Sequence, residues 1–327
     1  MKIGTIGTGN IVHTFLEAVR DTENVECTAV YSRKEETARQ LAGLFQVEQI
    51  YTDYEKMLAD DNIDFIYIAS PNSLHFEQAK KALQSGKNVI CEKPFTSTVQ
   101  EAEVLIDLAA ENDLFLFEAI TTLYFPNFIK IKEMLSSIGV LKVVQCNYSQ
   151  YSSRYDKLLE GEVTNVFDPA FSGGALMDIN IYNAHFVTGL FGQPQQVTYL
   201  ANKAENGIDT SGILMMKYPG LICECVGAKD SASPSFAVLQ GTKGYIRLNS
   251  SSNECLSFEV GTGDKVQTCN VQLPANRMTF EIAAFESMYA HGDKKKSRVL
   301  LEHSLGVMKT ITAARQYAGI VFAADRQ

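Results

Sequence analysis

Short apolar runs alternate with amphipathic stretches over the first 120 residues. The runs cover residues 2–6, 25–31, 63–69, 88–91 and 114–118, and the stretches cover 10–20, 34–44, 73–85 and 101–112. A continuous apolar run predicts a strand that is buried on both faces, and a 3.6-residue apolar period predicts a helix. The alternation therefore predicts an α/β domain whose parallel sheet is covered by helices on both faces.

The pattern changes after about residue 120. Residues 141–151 predict a long strand, 173–190 have helical spacing, and 196–273 are rich in strands separated by turn signals such as Asn206-Gly207. Strands joined by short turns indicate a mainly antiparallel sheet. Helical stretches at 277–290 and 301–318 close the chain, and the charged residues 293–296 predict a solvated loop between them. We therefore predict two domains, 1–120 and 121–327.

Composition and charge narrow the class of protein. The 327 residues suit two domains, and 29 basic against 38 acidic residues give a net charge of −9. An acidic chain is a poor partner for nucleic acid or an anionic membrane, so we expect neither. Seven cysteines without a Cys-x-x-Cys pair predict free thiols in the cytoplasm and no metal site. The chain enters a strand directly and has no long apolar run, so we expect no signal peptide and no membrane span.

Two glycines follow the first predicted strand and open the first helix. In Gly7-x-Gly9 they allow a tight turn and a close approach of the backbone to a pyrophosphate. The free N–H groups of the first helical turn, which contains Asn10 and Ile11, favour the same anion. We predict a dinucleotide site here, and the alternative is an ordinary turn.

The end of the second strand bears on the choice of dinucleotide. A carboxylate at this place binds the ribose 2′-hydroxyl of NAD, but this chain carries Ser32 and Arg33, and its first carboxylate is Glu35. Ser32 can donate to a 2′-phosphate, and Arg33 can pair with it or stack on adenine. We predict NADP(H) in preference to NAD(H), and the alternative is that Arg33 only faces solvent.

Glu92-Lys93-Pro94 follows a buried strand directly. Pro94 limits the backbone of Lys93 to extended forms, and the bond between them can be cis. A lysine at the carboxyl end of a sheet strand can place its ammonium in a cofactor crevice, where it donates a proton or orients a hydroxyl. The alternative is a surface lysine before a proline.

Three polar residues recur at helical spacing in the 173–190 stretch. Asp178, Tyr182 and His185 stand at i, i+4 and i+7, so on a regular helix they share one face. Three polar groups on one stripe of an apolar helix are costly unless they serve a purpose. We predict functional roles for Asp178 and Tyr182, whereas His185 fits the core as well as a site.

Four motifs together resemble the Gfo/Idh/MocA oxidoreductase family, and the resemblance runs essentially end to end. It implies an N-terminal Rossmann domain and a C-terminal α+β domain with an open, mainly antiparallel sheet. It also implies a nicotinamide cofactor and a small sugar, polyol or cyclic diol as substrate. Members often form dimers or tetramers through the outer face of that sheet. The motifs are Gly7-x-Gly9, Ser70-Pro71-Asn72-Ser73-Leu74-His75, Glu92-Lys93-Pro94 and Gly173-Gly174-Ala175-Leu176-Met177-Asp178.

The resemblance also implies roles for individual residues. Lys93 matches the family's catalytic lysine, and Asp178 matches an aspartate that contacts substrate. Tyr182 stands where many members carry an acid–base histidine. Glu92 and His185 are assigned to substrate binding. The residues assigned to the cofactor are Gly7, Gly9, Asn10, Ile11, Ser32, Arg33, Ser70, Asn72, His75, Glu92 and Lys93.

The chain departs from the family pattern at four positions. Thr121 and Leu123 stand where the family often has Trp and Arg, which weakens the transfer of a substrate from the dihydrodiol branch. Val12 stands at the third position of the glycine motif, which asks for looser packing of helix on strand. Asn180 stands where glycine is usual.

The resulting hypothesis is an NADP(H)-dependent dehydrogenase or reductase that acts on CH–OH groups. In oxidation a hydride leaves the carbinol carbon while Tyr182 takes the hydroxyl proton. Lys93 is the alternative base, and Asp178 holds the substrate or orients Lys93. Two other hypotheses stay open: a non-catalytic, dinucleotide-gated regulatory protein of the same fold, and a reductase of a C=C or C=N bond.

Overall fold

A computed structural model describes residues 1–273 and 275–326, which group into two compact units. The first unit comprises Met1–Ala119 and Ala275–Leu305, and the second comprises Ile120–Pro274 and Gly306–Gln327. The sequence-based division at residue 120 placed all of 275–305 in the second domain. In the structure this segment returns to the first unit, because its helix supplies apolar side chains to the core there.

Parallel strands alternate with helices in the first unit. The strands pair in the order β3-β2-β1-β4-β5-β6, and all pairs are parallel. This order reverses between β1 and β4, and ligands of such sheets bind beyond the carboxyl ends of the strands at that point. The predicted Rossmann arrangement is confirmed. The elements are β1 (Lys2–Ile6), α1 (Asn10–Arg20), β2 (Glu26–Tyr31), α2 (Glu35–Phe45), β3 (Gln49–Tyr51), α3 (Tyr54–Leu58), β4 (Phe65–Ile68), α4 (His75–Gln84), β5 (Asn88–Glu92), α5 (Val99–Glu111) and β6 (Leu116–Ala119).

The second unit contains an open eight-stranded sheet. Its strand order is β14-β13-β12-β11-β7-β10-β9-β8, and neighbours are antiparallel except for β7 and β10. The predicted mainly antiparallel C-terminal sheet is confirmed. The elements are α6 (Pro126–Met134), β7 (Leu141–Ser149), α7 (Ser153–Leu159), α8 (Ile181–Phe191), β8 (Gln196–Lys203), β9 (Asp209–Tyr218), β10 (Leu221–Ala228), β11 (Phe236–Gly241), β12 (Gly244–Leu248), β13 (Phe258–Thr262) and β14 (Lys265–Cys269).

The start of α8 packs closely on strand β10. Asn180 donates from Nδ2 to the Cys225 carbonyl at 2.9 Å, and Asn183 donates to the Val226 carbonyl at 3.0 Å. A Cβ on Gly227 would lie 2.5 Å from the Asn180 Cβ. The bulk that Asn180 adds where the family usually has glycine is therefore accommodated by a glycine on the facing strand.

Two last helices, α9 (Thr279–Ala290) and α10 (Lys294–Tyr317), complete the units. Phe285 on α9 is fully buried and stacks on Phe117 of β6 with 4.5 Å between ring centroids. In the same core Tyr67 of β4 stacks on Phe15 of α1 at 3.6 Å. Helix α9 therefore covers the edge of the parallel sheet. No described helix is long and apolar enough to cross a membrane.

The predicted loop at residues 293–296 is wrong, because α10 begins at Lys294. The Asp293 carboxylate accepts a hydrogen bond from the Lys296 N–H at 3.0 Å and so satisfies a free donor of the first turn. The Lys294 ammonium lies 3.9 Å from the centroid of the Phe115 ring. A cap and a cation–π contact thus hold a charged run in helical form.

Candidate active site

The Gly7–Gly9 loop lies at the carboxyl end of β1 and has the geometry of an anion cradle. Gly7 adopts φ +110°, and a Cβ there would lie 2.6 Å from the Ala69 carbonyl oxygen. Gly9 caps α1 without a side-chain hydrogen bond, and a Cβ there would have open space around it. The first N–H groups of α1 therefore have room for a pyrophosphate. Val12 is fully buried behind this loop, which accommodates the departure at that position.

Hydroxyl and basic groups, not carboxylates, follow β2. The Ser32 Oγ lies 2.6 Å from the Thr37 Oγ1 and accepts a hydrogen bond from the Lys34 N–H at 3.3 Å. Arg33 and Lys34 are exposed. The first carboxylate, Glu35, is turned to Arg39 one helical turn along α2. Sequence reasoning found Ser32 and Arg33 but missed Lys34, which adds a second positive charge, and Thr37, whose hydroxyl donates to the Lys34 carbonyl at 2.9 Å and so holds the loop.

His75 joins the ends of strands β4 and β5. Its Nδ1 lies 2.9 Å from the Pro94 carbonyl oxygen and its Nε2 lies 3.0 Å from the Ser70 carbonyl oxygen. The ring is buried, and burial lowers the pKa of His75, against the two backbone hydrogen bonds. His75 thereby fixes the loop that carries Ser70 and Asn72. Its assignment to the cofactor stays a prediction.

Glu92 and Lys93 stand at the carboxyl end of β5, in front of the cis peptide bond to Pro94. Consecutive side chains of a strand point to opposite faces, so only one of the two can face the core. Glu92 is buried and accepts a hydrogen bond from the Tyr67 hydroxyl at 2.8 Å, whereas Lys93 is partly exposed. Burial raises the pKa of Glu92, against the Tyr67 hydrogen bond and the Lys93 charge.

Two more glutamates of the first unit are buried near Glu92. Glu118 on β6 accepts a hydrogen bond from the Phe95 N–H at 3.0 Å. Glu281 on α9 is fully buried, and neither of its carboxylate oxygens has a hydrogen-bond partner among the described residues. Burial raises the pKa of Glu281 well above its ordinary value; the Glu92 charge raises it further, while the Arg277 charge lowers it. Sequence reasoning missed this cluster, because Glu92, Glu118 and Glu281 lie in three separate elements and no spacing links them.

The second unit carries Asp178, Tyr182 and His185. Asp178 lies in a π-helical turn, Leu176–Asn180, that precedes α8. The wider turn interrupts the regular helical spacing from which a shared face was predicted, and π turns occur frequently at functional sites. The side chain of Asp178 is 32% exposed, whereas Tyr182 and His185 are buried. The Tyr182 ring lies 6.0 Å from the Tyr148 ring.

Asp209 holds the start of this helical segment. Its Oδ2 accepts hydrogen bonds from the Leu176 N–H at 2.6 Å and from the Tyr199 hydroxyl at 2.7 Å. A Cβ on Gly174 would lie 2.0 Å from the Asp209 Oδ1, and Gly174 has φ +101°. Gly174 is therefore required because a buried carboxylate approaches the backbone there, whereas a Cβ on Gly173 would lie 2.4 Å from the Val166 carbonyl oxygen. Burial raises the pKa of Asp209, and the Tyr199 hydrogen bond lowers it.

Lys229 is the partner of Asp178 and was missed by sequence reasoning. Its Nζ donates to the Asp178 Oδ2, and its side chain is only 10% exposed. It follows β10 directly, as Lys93 follows β5. The sequence does show a lysine directly after a strand with alternating apolar residues, but no sequence spacing links that lysine to Asp178.

A glycine loop at the reversal point of a parallel sheet, with polar groups at the neighbouring strand ends, defines the class of dinucleotide-binding proteins. The family described as "Oxidoreductase family, NAD-binding Rossmann fold" matches residues 1–119, and the "GFO/IDH/MocA C-terminal domain" matches residues 128–247. The chain belongs to the Gfo/Idh/MocA oxidoreductase family. The class of enzyme predicted from the sequence is confirmed.

Relatives match over nearly the whole length. The chain is 37% identical to the uncharacterized oxidoreductase YgjR of Escherichia coli K12, over 99% of this chain and 98% of that protein. It is 35% identical to the scyllo-inositol 2-dehydrogenase (NADP(+)) IolU of Bacillus subtilis 168, over 100% and 99%. The aldose-aldose oxidoreductase of Caulobacter crescentus, solved with glycerol, has the same fold, with a TM-score of 0.86 at 18% identity over 98% and 97% of the two chains.

Proposed function

We propose that this chain is an NADP(H)-dependent oxidoreductase that transfers a hydride to or from the CH–OH carbon of a small sugar, polyol or cyclic diol. The observation that carries the proposal is the end-to-end similarity to a scyllo-inositol 2-dehydrogenase (NADP(+)). The presence of Lys93, Asp178 and Tyr182 at the matching positions supports catalysis over a purely regulatory role.

The loop after β2 supports NADP(H) over NAD(H). The exposed Arg33 and Lys34 offer positive charge for a 2′-phosphate, and the Ser32 hydroxyl beside them is the candidate donor to it. The Glu35 carboxylate, which would repel a phosphate, is occupied by Arg39.

Residues of the chain transfer the proton and bind the substrate. When bound, NADP supplies the hydride acceptor or donor. Tyr182 takes the hydroxyl proton in oxidation, and Lys93 is the second candidate for this role. The Asp178 carboxylate accepts a hydrogen bond from a substrate hydroxyl. His185 and Glu92, both buried, are the further candidates for substrate binding.

Cofactor binding tests the proposal directly. We expect NADPH to bind about 10-fold tighter than NADH in a fluorescence titration, since one charge-assisted hydrogen bond has this magnitude. The variant R33A should lose this preference by weakening NADPH binding alone. The matched control R247A removes an exposed arginine of β12, far along the chain from this loop, and should change neither constant. Equal constants for NADPH and NADH in the wild type contradict the NADP assignment, and no binding of either favours a different function.

Turnover tests the catalytic role of Lys93. A screen of inositols, aldoses and cyclic diols with NADP should reveal a substrate, and K93M should reduce its kcat by at least about 100-fold. NADPH binding by K93M should stay within about threefold of the wild type. The control K56M, an exposed lysine of α3, should retain full activity. An active K93M removes Lys93 from the mechanism.

We further propose that the chain forms a homodimer or homotetramer through the outer face of the C-terminal sheet. Leu200, Ile213 and Val226 stand side by side on β8, β9 and β10, and Leu200 is 67% exposed. A row of apolar side chains on an open sheet face is typical of an interface between subunits.

We place the protein in the reducing cytoplasm. All seven cysteines are free thiols, and five of them are buried. Free buried thiols suit a reducing compartment, where disulfides do not persist.

A further inference from the structure

Lys229 is fixed at the one edge of the second sheet where two strands end side by side. Because β7 and β10 are parallel, their carboxyl ends, Ser149 and Ala228, are paired neighbours. The Lys229 N–H donates to the Thr210 carbonyl and its carbonyl accepts from the Ser152 N–H, both at 2.9 Å. The backbone on both sides therefore fixes the point from which the lysine side chain extends to Asp178.

The Lys229 ammonium has more N–H donors than it has acceptors around it in the described part of the protein. It carries three N–H groups, and Asp178 is its one hydrogen-bond partner within the described residues. The neighbouring Asp230 does not compete for it, because its carboxylate accepts from the hydroxyls of Thr210, Ser211 and Ser231. An ion pair whose lysine is only 10% exposed gains little net stability, because desolvation of the ammonium opposes the attraction. Two donors of Lys229 thus remain for a ligand beside Asp178.

We propose that Lys229 determines specificity by binding, together with Asp178, two adjacent hydroxyl groups of the substrate. This inference rests on the proposed function. A hydroxyl is both a donor and an acceptor, so one hydroxyl donates to the Asp178 carboxylate while the next accepts from the Lys229 ammonium. A substrate with a single hydroxyl leaves either Asp178 or Lys229 without its ligand partner. Sites built to hydrogen-bond a hydroxyl reject analogues that lack it.

A purely structural ion pair predicts a different outcome. If the pair only fastens the π turn to the end of β10, its loss lowers stability and reduces activity on every substrate alike. Selectivity between a diol and a mono-alcohol separates the two roles, because a general loosening of the site does not distinguish the second hydroxyl.

The experiment compares trans-1,2-cyclohexanediol with cyclohexanol in the wild type, K229M and K229R. Both are measured as substrates with NADP, or as competitive inhibitors of the best polyol where turnover is slow. We expect K229M to weaken kcat/KM or the inhibition constant for the diol about 10- to 100-fold, on the scale of a hydrogen bond to a charged group. For cyclohexanol the change should stay below about threefold, and K229R should recover part of the selectivity. The matched control K243M, an exposed lysine in the turn before β12, should resemble the wild type.

The remaining outcomes also decide the proposal. Equal losses for both alcohols, or no loss for either, overturn it. If K229M does not fold, K229Q keeps a donor without the charge, and unchanged selectivity in K229Q overturns it as well. If the wild type turns over no polyol, the proposed function fails by itself. Calorimetric binding of the diol in the presence of NADPH then tests Lys229, and binding that K229M does not weaken overturns the inference.

Discussion

Glu281 illustrates how a single buried carboxyl affects the first unit. It lies without a hydrogen-bond partner among the described residues, near Glu92 and Glu118, and burial raises its pKa well above the ordinary 4.5. The folded state therefore holds a proton that the unfolded state releases. Such a group leaves stability unaffected below its unfolded pKa and reduces it as the pH rises towards its folded pKa.

We expect E281Q to remove this pH dependence. The free energy of unfolding of the wild type should fall above pH 4.5 relative to that of E281Q, by at most about 1.4 kcal/mol for each pH unit. Thermal denaturation of both proteins between pH 4.5 and pH 8 measures the difference, and E281Q should have the higher Tm at the alkaline end. The control E286Q lies on the same helix and is partly exposed, so its curve should parallel the wild type. Parallel curves for E281Q would show that Glu281 is ionised in the folded protein.

Single residues were predictable where a local rule applies. Gly7 and Gly9 were found because a helix start after a strand needs them, and the structure gives Gly7 a positive φ. Lys229 was missed because only the long-range pairing of the π turn with β10, where Asn180 donates to the Cys225 carbonyl, brings it to Asp178. Long-range pairing of this kind leaves no mark on the local sequence.

The π turn and α8 form one element whose first turn is held by the Asp209 carboxylate. Asp209 accepts the Leu176 N–H, and Gly174 leaves space for its second oxygen. A buried N–H that loses its acceptor destabilises the folded protein, so the Leu176–Asp209 hydrogen bond fixes the position of the turn that carries Asp178 and leads to Tyr182. The site residues of the second unit thus depend on a contact at the beginning of β9.

We expect G174A to disturb this element more than an equivalent change elsewhere. Its Cβ would meet the Asp209 Oδ1 at 2.0 Å, and its φ is positive. Backbone strain and overpacking together should lower the free energy of unfolding by about 2–5 kcal/mol. Gly161 has φ +86° with open space around its Cβ, so G161A should lose only about 1–2 kcal/mol from the backbone. Chemical denaturation measures both free energies of unfolding. Equal losses in G174A and G161A would mean that the Asp209 side chain moves away from the new Cβ at no cost.

Element boundaries followed the sequence most closely where periodicity was strong. The predicted bounds 2–6 and 10–20 agree with those of β1 and α1, and the strand predicted at 63–69 is shorter in the structure. Helix α7 was missed because its seven residues lie in a short polar stretch that predicts no element. Helix α10 was predicted too short, because the charged residues 294–296 disfavoured a helix that an aspartate cap stabilises.

The whole molecule presents an apolar sheet face and a net charge of −9. Leu200 and Ile213 are 67% and 37% exposed on adjacent strands. A net negative charge favours solubility, so association of subunits has to come from a local apolar surface. The sheet face supplies the surface that the proposed homo-oligomer needs.

We expect I213E to convert the proposed oligomer to a monomer. A carboxylate in the middle of an apolar interface loses its hydration without gaining a partner. Light scattering after size exclusion should report a dimer or tetramer for the wild type and one chain mass for I213E. The control V266E lies on the edge strand β14, where Val266 is 60% exposed, and should keep the wild-type mass. A monomeric wild type contradicts the proposed interface.

The return of Ala275–Leu305 to the first unit has a consequence for how the protein is made. A ribosome releases residues 1–119 long before it delivers Phe285, the ring that stacks on Phe117. Until then the first unit lacks helix α9, and the ring of Phe117 on its edge strand is uncovered. The ribosome synthesises residues 120–274 of the second unit during this interval. Nascent chains in this state are the ones that chaperones hold, and a fragment cut at residue 119 would keep that uncovered edge permanently.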